Sequence, residues 1–213
     1  MNSFTVYLVR HGATFLNAYD RMQGWIDSDL SDDGITQSQE AAERLKDIAF
    51  DRAFSSDLGR AMTTRDIIVN HTPGALKENG ELKSFREVNF GFFEGLNSTD
   101  IWHGIAAPYG KSTQADLIEI GGMEEARNAM KKADPSDEAE SYDAVINRLK
   151  AGFQELRDHC EFNENILLVS HGTFIRTMAD YLGVDTTDNY PKNGGISQLT
   201  VYEDQVAFES YNQ

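Results

Sequence analysis

Two stretches of the chain share one shape: VYLVRHGAT from Val6 to Thr14 and NILLVSHGTF from Asn165 to Phe174. In each, an apolar run suited to a buried strand ends in one polar residue, then His-Gly, then the start of a helical segment. Open α/β sheets bind ligands outside the carboxyl ends of their strands. If the two strands are neighbours, His11 and His171 face each other across that crevice. A single His-Gly reads equally well as a turn in which glycine supplies backbone freedom, but two in matching contexts favour a shared site.

The rest of the 213 residues alternates apolar runs with helix-period segments. That pattern predicts an α/β fold, a three-layer sandwich with a largely parallel central sheet flanked by helices, in one domain over residues 1–213. Strands are expected at Phe4–Val9, Arg52–Ser55 and Asn165–Ser170, with two more, joined by a tight turn near Asp204-Gln205, in ISQLTVYEDQVAFESYN. Helices are expected after Ser31, along the stripe Leu58, Ala61, Met62, Ile68 and Val69, and after His171. The longest is expected near Pro135–Cys160, on the stripe Tyr142, Val145, Ile146, Leu149, Phe153 and Leu156. Residues 96–134 read as a lid-like insertion over one edge of the sheet, with weak helical pattern at Thr113–Ile120 and Met123–Lys131.

Charge narrows the partners. Lys and Arg total 19 against 35 Asp and Glu, a formal charge of -16, which argues against nucleic acid and anionic membrane as partners. The single cysteine, Cys160, can form no internal disulfide, no secretory-type leader is visible, and no apolar run is long enough to span a bilayer, so a cytoplasmic location is expected.

An arginine directly after a buried strand needs an anionic partner or an exit to water. Arg10 beside His11 would disfavour the imidazolium and keep the ring a neutral nucleophile, and a guanidinium also grips phosphate with paired hydrogen bonds. Arg60, in SSDLGRAMTT, follows the next strand. Two histidines and a glutamate could instead ligate zinc or non-haem iron, but Arg10 and Arg60 would put permanent cations where the metal must sit. No His-Glu-x-x-His pair, Cys cluster, Walker loop or Cys-x5-Arg loop is present.

RHGAT with Asn17, QGWIDSDLSDDG at Gln23–Gly34, SSDLGRAMTT at Ser55–Thr64, REVNFGFFEG at Arg86–Gly95 and VSHGT at Val169–Thr173 together resemble the histidine phosphatase superfamily, the phosphoglycerate mutase-like family. The motifs stand in the family's order from the first strand to Thr173. The resemblance implies that His11 is the nucleophile forming a phosphohistidine. It implies that Arg10, Arg60 and His171 bind the phosphoryl oxygens and stabilise transferring charge, and that Glu87 is the general acid and then the base. Apolar flanks at Phe85, Phe90, Phe92 and Phe93 would raise the Glu87 pKa, while Glu94 holds the loop. Asn17 adds a phosphate contact, and Gly24 and Thr173 join the phosphate-binding backbone. Gly12 is expected to let phosphate approach the chain.

Departures from the mutase pattern favour a phosphatase. This chain has Ala13 where mutases carry Glu or Gln, and Val88-Asn89-Phe90-Gly91 where they carry Arg-His-Tyr-Gly. Between Leu96 and Ala126 only Lys111 is cationic, too little for a second phosphate. Trp102, His103, Tyr109 and Lys111 are the substrate-contact candidates of the insertion, and its low charge suggests a substrate whose far end is neutral or aromatic. The expected function is hydrolysis of a phosphomonoester without cofactor or metal. The alternatives are cofactor-dependent phosphoglycerate mutase-type transfer and a non-catalytic phosphate-binding module. The partner expected is a phosphorylated small molecule, with a phosphoprotein second, and the edge strands near the C-terminus leave a homodimer open.

Overall fold

Both His-Gly motifs follow a strand, as their apolar runs predict. A computed structural model describes residues 2–213. Its elements in chain order are β1 (Ser3–Arg10), α1 (Phe15–Ala18), α2 (Asp32–Leu45), β2 (Arg52–Ser55), α3 (Gly59–Val69), β3 (Glu78–Glu81), α4 (Ser98–Ala106), α5 (Gln114–Ala133), α6 (Tyr142–His159), β4 (Asn165–Ser170), α7 (Gly172–Tyr181), β5 (Ile196–Tyr202) and β6 (Val206–Ser210). The strands form one six-stranded sheet in the order β3-β2-β4-β1-β5-β6. The first four of these are mutually parallel, and β5 and β6 run antiparallel at one edge.

The continuous burial of β4, and of β1 at Leu8-Val9, has a direct cause, since helices cover both faces of the sheet there. Val9, Leu167 and Val169 pack with Ala41, Ala42 and Leu45 of α2 and Ala61 and Ile68 of α3. Their neighbours Val6, Leu8, Ile166 and Leu168 belong to the opposite layer, with Leu117 of α5, Ile146, Leu149 and Leu156 of α6, and Phe174 and Met178 of α7. The register sets Arg10 against Ser170, so the two His-Gly turns leave the sheet side by side. No helix among the described residues is long and apolar enough to cross a membrane.

Gly12 has a different job from the one expected. A Cβ there would lie 2.1 Å from the Gly34 carbonyl oxygen, and one on Gly34 would lie 1.9 Å from the Ala13 oxygen. The two glycines let the N-terminus of α2 press against the turn that carries His11. The Gly12 N–H donates to Thr64 Oγ1 at 3.1 Å and is not free for phosphate. Overpacking so tight a backbone contact should make Gly34→Ala destabilising by about 3 kcal/mol, read as a lowered urea midpoint with unchanged slope.

One expected boundary is corrected, and one strand was not expected. The helix placed at Pro135–Cys160 starts only at Tyr142, capped by Ser141, whose Oγ accepts from Ala144 N at 3.2 Å. The preceding residues instead wrap the Asp134 carboxylate, which accepts backbone N–H groups from Ser136, Glu138, Ala139 and Phe92. At 18 residues it is the longest unbroken helix among the described residues, as expected, because the 20-residue α5 is interrupted where Gly121 and Gly122 leave helical geometry. The break separates the two weak helical patterns seen in the sequence. Finally, β3, with the polar sequence ENGE, carried no strand signal.

Candidate active site

The parallel register brings His11 and His171 to a ring-centroid separation of 5.0 Å. His11 Nδ1 lies 2.7 Å from the Gly12 carbonyl, which can only accept, so Nδ1 carries the proton and Nε2 keeps its lone pair. Arg60 Nε donates towards that Nε2 at 3.3 Å. The rest of the Arg60 guanidinium is fixed by the Gly24 and Ile26 carbonyls, at 2.8 and 2.9 Å, and by Asp27 Oδ1 at 2.8 Å. Burial first, then the charges of Arg60 and Arg10, holds the His11 pKa well below its ordinary value. His171 is lowered as well, by burial and then by Arg60, His11 and Arg10. Both rings are therefore neutral at pH 7.

Two nitrogens beside His11 have no protein partner: Arg10 Nε and His171 Nδ1. Arg10 is held from behind by Nη1 donating to the Pro191 carbonyl at 2.6 Å and by the Tyr190 ring, whose centroid is 5.1 Å from its Cζ. His171 Nε2 sits 2.6 Å from Ser56 Oγ. Buried groups left unsatisfied beside a lone pair suit a ligand rich in oxygen acceptors. Among the described residues no group of three or more His, Cys, Asp or Glu is placed to hold a metal ion.

Glu87 is buried, and burial raises its pKa despite backbone N–H donors and Arg60 nearby. Its Oε1 accepts from Val88 N and Phe174 N, both at 2.8 Å, while Oε2 accepts only from Thr173 N, at 2.9 Å. Oε2 thus retains a lone pair for a proton. Glu94 is occupied otherwise: it accepts from the backbone of Gly24, Trp25, Ile26 and Phe90 and so ties the loop after β1 to the loop carrying Glu87. This corrects the reading of Gly24. Its N–H belongs to Glu94, its carbonyl belongs to Arg60, and it does not line the cavity.

A cavity of about 390 Å³ opens over this cluster, and Arg10, His11, Asn17, Glu87 and Thr173 are in its wall. Asn17 is fixed through its capping box with Thr14 and by Gln23, whose Oε1 also accepts from Thr14 Oγ1 at 2.6 Å. Of the four insertion candidates only Trp102 reaches the cavity. His103 and Tyr109 are exposed, and neither they nor the half-buried Lys111 line it. The insertion instead contributes Ser98 and Gln114.

Several wall residues had no legible signal. Tyr190 and Asn193 come from the loop before β5, and Asn193 Nδ2 donates to the His11 carbonyl at 2.9 Å. Asp20 and Arg21 are two more, and they put charge of both signs in a wall that the insertion alone leaves uncharged. Cys160 stays outside the site, its thiol pushed up to about 12 by burial.

The family model of the histidine phosphatase superfamily (branch 1) matches residues 6–213. A 2,3-bisphosphoglycerate-dependent phosphoglycerate mutase of Cytophaga hutchinsonii is 30% identical over 176 residues, covering 82% of this chain and 75% of that protein. Among solved structures, a phosphoglycerate mutase from Bacillus anthracis str. Sterne has a TM-score of 0.90 at 30% identity, over 100% of this chain and 94% of that one. A phosphoserine phosphatase from Entamoeba histolytica has a TM-score of 0.68 at 26% identity, over 99% and 97% of the two chains.

Proposed function

The chain belongs to the histidine phosphatase superfamily, and on that footing we propose that it hydrolyses a phosphomonoester through a phosphohistidine on His11. The observation that carries this reading is the His11 Nε2 lone pair, turned towards Arg60 and flanked by the unpartnered Arg10 Nε and His171 Nδ1. In the first step Nε2 attacks phosphorus, the P–O bond to the alcohol breaks, and Glu87 delivers its proton to the leaving oxygen. In the second step water attacks phosphorus, the P–N bond breaks, and the proton of the water returns to Glu87. Arg10, Arg60 and His171 stabilise the charge on the transferring group.

Transfer between two positions of a bisphosphorylated intermediate is the second reading, favoured by the mutases among the relatives. Hydrolysis is preferred because the insertion places no lysine or arginine in the cavity wall and Arg21 is the one cation there beyond Arg10. The test is phosphate release from 3-phosphoglycerate, glycerol 3-phosphate and an aryl phosphate in the presence of a chelator. Release that survives chelation is expected. Conversion of 3-phosphoglycerate to its 2-isomer without release would establish the mutase reading. Phosphate binding with neither reaction would leave a binding module, and release abolished by chelation would return the metal reading.

A further inference from the structure

Glu87 lies in an irregular stretch between two short 3-10 turns, Lys83–Phe85 and Gly91–Phe93. No strand ladder or helix therefore fixes its backbone, and side chains do so instead. The carbonyl of Phe85 accepts from Ser170 Oγ at 2.8 Å. Those of Ser84, Arg86 and Glu87 all accept from Arg148 of α6, the first two from Nη1 at 3.0 and 2.8 Å and the third from Nη2 at 3.2 Å. Trp25 Nε1 also donates to the Glu87 carbonyl, at 3.0 Å.

Arg148 is itself anchored. Its Nε and Nη2 donate to the two carboxylate oxygens of Glu140, each at 2.8 Å. Such a planar fork is held far more rigidly than a lysine would be. Glu140 then reaches the other side of the acid, where its Oε2 accepts from Asn89 N at 2.9 Å and its own N–H donates to the Asn89 carbonyl at 3.0 Å. The guanidinium carbon also lies 4.5 Å from the ring centroid of Phe174, whose backbone N–H donates to the Glu87 carboxylate. One ion pair thus grips the chain on both sides of Glu87 and rests on the helix that receives its carboxylate. Neither Arg148 nor Glu140 lines the cavity.

A desolvated ion pair is weak evidence for stability, and this one spends its remaining donors on the backbone that carries the acid. We propose that Arg148, anchored by Glu140, is a positioning residue for proton transfer, fixing residues 84–89 so that the Glu87 carboxyl meets the leaving oxygen. The proposal rests on the reading of Glu87 as the acid in phosphomonoester hydrolysis. His11 is held independently, by the Gly12 carbonyl, Arg60 and Asn193, none of which bonds Arg148. Loss of Arg148 should therefore fall on the proton and spare the nucleophile.

The experiment compares two leaving groups in Arg148→Met. Consumption of 4-nitrophenyl phosphate, and of whichever of 3-phosphoglycerate and glycerol 3-phosphate the protein turns over faster, is followed in single turnovers with enzyme in excess, so that the folded fraction cancels. The alkyl ester should slow by about 10²-fold, the scale for a catalytic group misplaced by about 1 Å. The nitrophenyl ester, whose leaving group needs no proton, should slow by less than about tenfold. Arg148→Lys keeps the charge and is the gentler change to the fold; it should show the same skew to a smaller degree. Amide exchange supplies a reading that needs no turnover. The N–H groups of Thr173 and Phe174 both donate to Glu87, so a displaced carboxyl should speed their exchange by about tenfold or more, while Gly12 N–H, held by Thr64 Oγ1, keeps its rate. Equal losses on the two esters, or exchange that rises at Gly12 as much as at Thr173 and Phe174, would make Arg148 a support of the fold as a whole and overturn the proposal. Loss on neither ester would overturn it too. If the unsubstituted protein consumes neither ester, hydrolysis fails, and exchange alone decides whether Arg148 places the carboxyl.

Discussion

His11→Ala is expected to lower phosphate release by at least about 10⁴-fold, the scale on which loss of a covalent nucleophile acts. The reason lies in the geometry around one atom. Nδ1 is committed to the Gly12 carbonyl, and Nε2 faces Arg60. Burial and two arginines keep the ring unprotonated, so the lone pair is available without a separate base. The His171 ring is anchored by Ser56 at Nε2, and its unpartnered Nδ1 is assigned to the phosphoryl oxygens. His171→Ala should accordingly cost about 10² to 10³-fold, the loss of one charge-stabilising group, and leave the nucleophile in place. The decisive measurement is a rapid quench into alkali with labelled substrate. A phosphoenzyme stable in alkali and labile in acid should appear with the unsubstituted protein and be absent with His11→Ala. Release by the variant above one per cent of the parent rate would mean that water attacks the substrate directly.

The parts of this site that could be read in the sequence are those set by local pattern. Because β4, and β1 at Leu8-Val9, are covered on both faces, their apolar runs stand out, and each ends abruptly where His11 and His171 begin. Glu87 could be separated from Glu94 by its place in the motif, and the structure shows the physical difference. Glu94 bonds four backbone N–H groups across two loops, whereas Glu87 faces the cavity with one oxygen partly free. What could not be read depends on contacts distant in sequence. Gly12 looks like a phosphate turn until α2 is seen resting on it. Gly24 looks like a phosphate contact until the Glu94 carboxylate is placed against its N–H. In the insertion, Trp102 and His103 are adjacent, but α4 turns one inward and the other to solvent. The burial of Arg127 on α5 against Phe90 and Trp102 likewise depends on contacts that the local pattern does not show.

Replacement of the carboxyl at position 87 should separate the two chemical steps. Glu87→Gln is expected to slow hydrolysis of an alkyl phosphate by about 10³-fold, within the range for loss of a general acid. With 4-nitrophenyl phosphate the first step should fall by less than about tenfold, since a nitrophenolate leaves without a proton. The second step still needs a base, so phosphohistidine should accumulate and the variant should show a burst of nitrophenolate close to one per enzyme, followed by slow turnover. The pH profile carries the same assignment. Burial raises the Glu87 pKa, so the protonated acid persists to higher pH than for an exposed carboxyl, and activity on alkyl esters falls as pH rises through that value. His11 must be neutral, and its pKa is lowered, so the limb on which activity is lost by protonation lies below the ordinary histidine range. The optimum for an alkyl ester therefore lies between these two limbs, and the alkaline limb should vanish in Glu87→Gln. Equal losses on alkyl and nitrophenyl esters, with no burst, would show that this carboxylate holds the N-terminus of α7 through Thr173 and Phe174 and transfers no proton.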